Sequence, residues 1–362
     1  MPGQGAGVLG QDGPGLVSGS ALVVDYVLTI TISVAAAVDA IYSFSWMPPH
    51  GQVLLGSLLI LTLILLNLRG IKESVTLLTP IFLLFLVMHA LLIGAAIGLN
   101  VHKIQPTLVD NAHRIADHSR TMLDMLVLVG VFLRAYSLGG SSFTGIEAVS
   151  NSVSVLREPR VETGKKTMRY MALSLSLAVA GLLISYLLID LKPFETKTFN
   201  AILAEHVMAH WRCGAFPLGL TLVGLVLFSE AALLLVAAQT GFLGGPGVLG
   251  SMAVDSWVPR RFQLLSERLV MKDGILMMGI ASLGLLLYTG GRVTDLAIMY
   301  SINVFITFTL SQLGMCRHWW QERSQGGRWR GRLFWNALGL SLTAGILVIT
   351  VVEKFGEGGF GE

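Results

Sequence analysis

Hydrophobic positions in this chain fall in long unbroken blocks, not in the alternation of a half-buried strand or the single stripe of a soluble helix. A bilayer core about 30 Å thick needs roughly 20 helical residues to cross it. Nine windows of that kind are read, over 20–43, 52–68, 75–99, 122–156 with an interruption, 168–190, 214–239, 274–288, 294–315 and 332–353. The window at 274–288 is short and needs support from its neighbours. Residues 1–19 read as a Gly-rich N-terminal loop rather than a signal peptide, 20–353 as the transmembrane domain and 354–362 as a C-terminal stub. The polar loops are too short to hold a separate folded domain. One of them, "DSWVPRRFQLLSERLVMKDG", alternates apolar and charged residues, and reads either as an amphipathic helix at the inner face or as a solvated connector.

Polar residues inside these blocks carry the candidate chemistry. The fourth window runs as "MLDMLVLVGVFLRAYSL", breaks at Gly139 and Gly140, and resumes as "SFTGIEAVS" with Thr144 and Glu147. A break inside lipid leaves backbone N–H and C=O groups unsatisfied, so it must be buried in protein or line a cavity. In transporters such breaks form the substrate site; the plainer reading is a glycine notch for a neighbouring helix. The first window places Asp25, Thr29 and Ser33 four residues apart, on one helix face, with Tyr26 beside them. An intramembrane carboxylate normally faces a cavity or a partner, and this stripe offers a line of oxygens to a cation. The plainer reading has Asp25 solvated and the hydroxyls as ordinary interhelical contacts. Glu230 fits a proton relay or a structural pair equally. Arg134 is the cation placed to pair with a buried acid, Asp39 reads as solvated, and His89 reads as a hydrogen-bonded packing residue. Tyr300 and Asn303 lie one turn apart, facing a cavity or simply packing.

Composition narrows the class. Hydrophobic residues make up 53% of the chain, charged residues 13%, and the mean hydropathy is +0.70, values outside the range of a soluble domain. The net charge of +3 is scattered, without the basic, aromatic-interleaved patch that nucleic acid requires. There is no CxxC pair, HExxH, phosphate loop or GxSxG elbow, so neither an enzyme nor a cofactor is expected. Lysine and arginine concentrate in alternate loops: Arg69 and Lys72, then Arg157 to Arg169, Arg260 to Lys272, and Arg317 to Arg332. This predicts a cytoplasmic N-terminus and an outer C-terminus, in the cell membrane (the inner membrane of a bacterium). Cys213 and Cys316 then fall on opposite sides and do not bridge.

With these residues in view, the chain resembles the amino acid, polyamine and organocation transporter superfamily, and within it the KimA-type potassium/proton symporter branch. The resembling stretches are "SGSALVVDYVLTITISVAAAVDAI", "LNLRGIKESV", "GGSSFTGIEAVSN", "REPRVETGKKTM", "SWVPRRFQLLSERLVMKDGI" and "YSINVFITFTLSQLGMCRHW". The resemblance implies an all-α membrane fold, part of the LeuT-type arrangement of two inverted five-helix repeats, with the discontinuous helix at about 122–156. The nine windows would be the family's third to eleventh helices, its first two and last having no counterpart. It implies a cation site from Asp25, Tyr26, Thr29, Ser33, Thr144, Glu147 and Tyr300, with Gly139 and Gly140 at the break. Potassium would sit at Asp25, Thr29 and Thr144, and Glu147 and Glu230 are the proton-coupling candidates. In "YSINVF", Asn303 stands where the family more usually has glycine. The expected function is proton-coupled uptake of potassium ion, with an amino acid permease as the alternative. A non-transporting or degenerate membrane fragment is the reading from another class. Expected partners are a small substrate, protons and the lipid bilayer, with no nucleic acid; the assembly considered is a homodimer.

Overall fold

The computed structural model describes residues 12–44, 50–70, 75–117, 121–139, 156–192, 197–212, 214, 216–325 and 329–356. Among these residues the fold is all-helical, with no β-strand. The eleven helices are α1 (Asp12–Tyr42), α2 (Gln52–Leu68), α3 (Val75–Leu99), α4 (Ile104–Asp117), α5 (Met122–Leu138), α6 (Arg160–Ile189), α7 (Phe199–Met208), α8 (Leu218–Val254), α9 (Lys272–Thr289), α10 (Val293–Gln321) and α11 (Trp329–Gly356). Seven are long and apolar enough to cross a membrane: α1, α3, α6, α8, α9, α10 and α11. Two of the nine expected windows, α2 and α5, are helices of 17 residues each. At 1.5 Å per residue such a helix rises about 25 Å, slightly short of a hydrocarbon core.

α1 is the centre of the bundle. Its most apolar window is 67% buried, against 11% to 39% for the other six spans. Helices that face lipid can leave apolar surface uncovered by protein, so α1 alone is surrounded on most sides. It packs most extensively on α8, then on α10, α9 and α2. Tyr26, Ile30, Val34 and Val38 of α1 join Phe242, Leu249 and Met252 of α8 and Met278 and Leu286 of α9 in the main core. A second core forms where α3, α7 and α8 meet, around Met88, Leu92, Leu203, Met208 and Val226.

α8 continues 15 residues beyond the window expected for it, through "TGFLGGPGVLGSMAV". Read along the sequence, that glycine-rich stretch with Pro246 looks like a helix end. Its glycines instead permit close approach: a Cβ on Gly241 would stand 2.5 Å from Ile30 Cγ1, and one on Gly244 2.5 Å from the Tyr26 ring. The tight α1–α8 crossing therefore requires bare backbone on α8. α6 also starts early, at Arg160, directly after Pro159, which stands at the N-cap position in an extended conformation.

The connector at 255–271 does not form the amphipathic helix weighed for it. It contains one 3-10 turn, Arg260–Gln263, entered at Pro259, and left-handed residues at Ser256 and Leu269 prevent a regular helix. Amphipathic character appears instead in α4, within the long loop after α3.

Candidate functional site

On α1, side chains four residues apart stack along one face, and the bundle closes over that face. Asp25 is fully buried, and Thr29 and Ser33 are 3% and 5% exposed. α10 runs beside them and places Asn303 so that its Nδ2 donates to Asp25 Oδ1 at 3.2 Å and to the Ala21 carbonyl at 3.0 Å. Asn303 thus meets the carboxylate with a neutral donor. Asn303 is the residue that departs from the pattern the chain resembles, and it makes the contact to Asp25.

The two hydroxyls next along the stripe behave differently from most others in this bundle. Thr31, Ser301 and Thr307 each bond back to the carbonyl four residues before, at 2.8, 2.8 and 3.0 Å. That is the usual way a hydroxyl is satisfied inside a membrane helix. Thr29 and Ser33 make no hydrogen bond among the described residues, although both are buried. The face therefore presents a carboxylate followed by two uncommitted oxygens over about 12 Å of helix rise.

The aromatic residues expected at this site are placed as packing. Tyr26 turns toward α8, where its ring meets Gly244. Tyr300, fully buried, packs with Leu28 and Val304. Gly139 follows α5 and is exposed; a Cβ added there meets nothing within 4 Å, so no packing notch exists at it among the described residues. Gly140, Thr144 and Glu147 lie outside the described residues.

Glu230 joins a different cluster. Its Oε1 accepts from Asn200 Nδ2 at 2.9 Å, and Asn200 Oδ1 in turn accepts from the Tyr186 hydroxyl. Its other oxygen, Oε2, is buried with no partner among the described residues. α7 carries Asn200 into this position because Thr198 caps the helix, accepting from Ala201 N, and is itself tied to Ser43 at the end of α1. His89 packs as expected, bonded through Nδ1 to the Phe85 carbonyl at 3.0 Å. Arg134 is exposed on α5. Asp39 is half-buried on the wall of a cavity of about 270 Å³, with Gln52, Thr198, Gly291 and Arg292 among the residues around it.

Sequence reasoning missed one polar pair. Asn67 of α2 and Gln239 of α8 exchange two hydrogen bonds of 2.9 Å, side chain to side chain, and both are buried. The available signal was an amide set among apolar neighbours in each of the two segments, which lipid would disfavour unless they met.

A model of the amino acid permease family matches residues 10–356. The chain is 32% identical over 344 residues to the potassium transporter KimA of Bacillus subtilis (strain 168), an alignment that covers 94% of this chain and 54% of that protein. The chain thus spans about half the length of the curated relative it matches. These matches accord with the repeated apolar helices: the chain belongs to the amino acid permease family of the amino acid, polyamine and organocation superfamily and is a multi-pass membrane protein.

Proposed function

We propose that this protein is a secondary active transporter that takes up potassium ion, driven by the proton gradient. The observation that carries the reading is the stripe on α1: a buried carboxylate, Asp25, followed on the same face by two buried residues, Thr29 and Ser33, whose hydroxyls do not bond back to a carbonyl of their own helix. A dehydrated potassium ion is stabilised by several oxygens replacing its hydration shell, and one negative charge among them offsets its own. In this proposal a further oxygen comes from Thr144, which lies outside the described residues. Similarity to a potassium transporter points the same way.

In this proposal nine segments span the membrane with the N-terminus in the cytoplasm, as the arginine-rich alternate loops favour. The segment at 122–156 is the discontinuous helix of an inverted-repeat fold, interrupted at Gly139 and Gly140. Glu147 and Glu230 carry the coupled proton. Support for Glu230 is its buried Oε2, which has no hydrogen-bond partner among the described residues. A second reading, amino acid transport, is favoured by the family match itself. In it, half-helix N–H groups at the break would receive a substrate carboxylate.

Proteoliposomes containing the protein, under an imposed inward proton gradient, separate the two. Rubidium, as a tracer for potassium, should accumulate, be competed by potassium, and cease when a protonophore collapses the gradient. Accumulation of an amino acid from a parallel panel, with none of rubidium, would replace the potassium reading with the second one.

A further inference from the structure

The junction between α10 and α11 concentrates arginine and tryptophan as no other part of the chain does. From Arg317 to Trp335 there are five arginines against one acid, Glu322, and four of the seven tryptophans of the chain. The acid is already engaged, with His318 at 3.4 Å. Arg328 lies outside the described residues. Among the described residues no carboxylate lies within ion-pair distance of Arg317, Arg323, Arg330 or Arg332. In other loops Arg160 pairs with Glu158 at 2.9 Å and Arg261 faces Asp273 at 3.9 Å, while Arg157, Arg169, Arg260 and Arg268 likewise have no carboxylate within ion-pair distance among the described residues.

Three of these arginines rest on indole rings. The guanidinium carbon of Arg323 is 5.0 Å from the Trp320 ring centroid, that of Arg330 is 5.5 Å from Trp329, and that of Arg332 is 4.6 Å from Trp319. The last contact joins α11 to α10. Stacking engages the face of the guanidinium and leaves its N–H donors free at the edge. It also holds a long side chain in place, so less conformational freedom is lost when an anion binds. Trp320 and Trp335 are exposed, at 54% and 69%, and tryptophan is favoured at the level of lipid headgroups. The patch therefore has stacked donors without a carboxylate partner among the described residues, at the end of two apolar helices where lipid headgroups would be met.

We propose that the α10–α11 junction is a binding site for the phosphate headgroup of an anionic phospholipid, with Arg323, Arg330 and Arg332 as its donors. Clustered basic residues immediately beside a membrane helix attract anionic lipid, and the planar guanidinium suits a phosphate better than an ammonium does.

The test titrates the purified protein with phosphatidylglycerol and, separately, with phosphatidylcholine, and counts retained lipid by native mass spectrometry. The wild type should retain phosphatidylglycerol about tenfold or more better than phosphatidylcholine. The triple variant Arg323→Gln, Arg330→Gln, Arg332→Gln should lose that preference. A triple replacement of the same residues by lysine, which keeps charge but loses the stacked fork, should fall in between. Lys165→Gln with Lys166→Gln, which removes charge from another loop, should leave the preference intact. Equal retention by the wild type and the glutamine triple variant, or an equal loss in the Lys165 and Lys166 variant, would overturn the site. If the glutamine triple variant does not fold, the lysine triple decides: full wild-type preference in it would reduce the patch to diffuse charge and refute the stacked site.

Discussion

Thr29 and Ser33 owe their interest to what their neighbours do. Thr31, two residues from each, is tied to the Val27 carbonyl and also reaches the Ser282 carbonyl at 3.3 Å. It therefore reads as a helix-packing hydroxyl, whereas its neighbours on the Asp25 face do not. Thr29→Val keeps shape and removes one oxygen, so it should preserve the fold and raise the potassium concentration for half-maximal uptake by about three- to tenfold. That range is the equivalent of one net hydrogen bond. Ser33→Ala should act in the same direction. Thr31→Val, as a control, should shift thermal stability while leaving half-saturation unchanged. Rubidium uptake at varied potassium concentration measures all three, and an unchanged half-saturation in Thr29→Val would remove that hydroxyl from the site.

At the scale of the helix, polar side chains and bare glycines set how elements meet. Lipid gives apolar helices little reason to associate, so close backbone packing and interhelical hydrogen bonds carry the specificity. α8 uses both devices: Gly241 and Gly244 admit α1, and Gln239 grips Asn67 of α2. Removing one amide of that pair strands the other in the core. Asn67→Leu or Gln239→Leu alone should destabilise the protein by about 1–3 kcal/mol, while the double replacement should be milder than the sum of the two. Thermal melting in detergent of the four members of the cycle reads this out. Strict additivity would mean that the pair is not coupled.

For the whole molecule, the repeated apolar windows were legible because hydrocarbon imposes a length and a composition on every segment that crosses it. Seven of the nine windows coincide with helices long and apolar enough to cross a membrane, α2 matches its window residue for residue, and α5 fills the first part of the fourth. Boundaries were less legible where glycine had two meanings. In "GFLGGPGVLG" it reads as a terminator, but the neighbouring α1 turns it into a packing surface, which only the tertiary contact reveals. The short helices α4 and α7 were hidden for the opposite reason, since neither has the length or apolarity that the windows detect. Within the site, the stripe of Asp25, Thr29 and Ser33 followed from helical spacing alone. That Asn303 would bond to Asp25 did not, because nothing local says which face of α10 meets α1. Tyr26 was grouped with the stripe by adjacency, yet one residue along a helix rotates by about 100°, and its ring serves the α8 contact.

The central claim is that Asp25 holds the transported cation. Its most direct test is potassium-competed rubidium uptake into proteoliposomes under an inward proton gradient, comparing wild type with Asp25→Asn. Asparagine keeps the shape and an oxygen for Asn303 but removes the charge that offsets a dehydrated cation. The account predicts uptake in the wild type and its loss in Asp25→Asn, with the variant still folded by its melting curve. Equal uptake by both proteins would contradict it and take Asp25 out of the transport site.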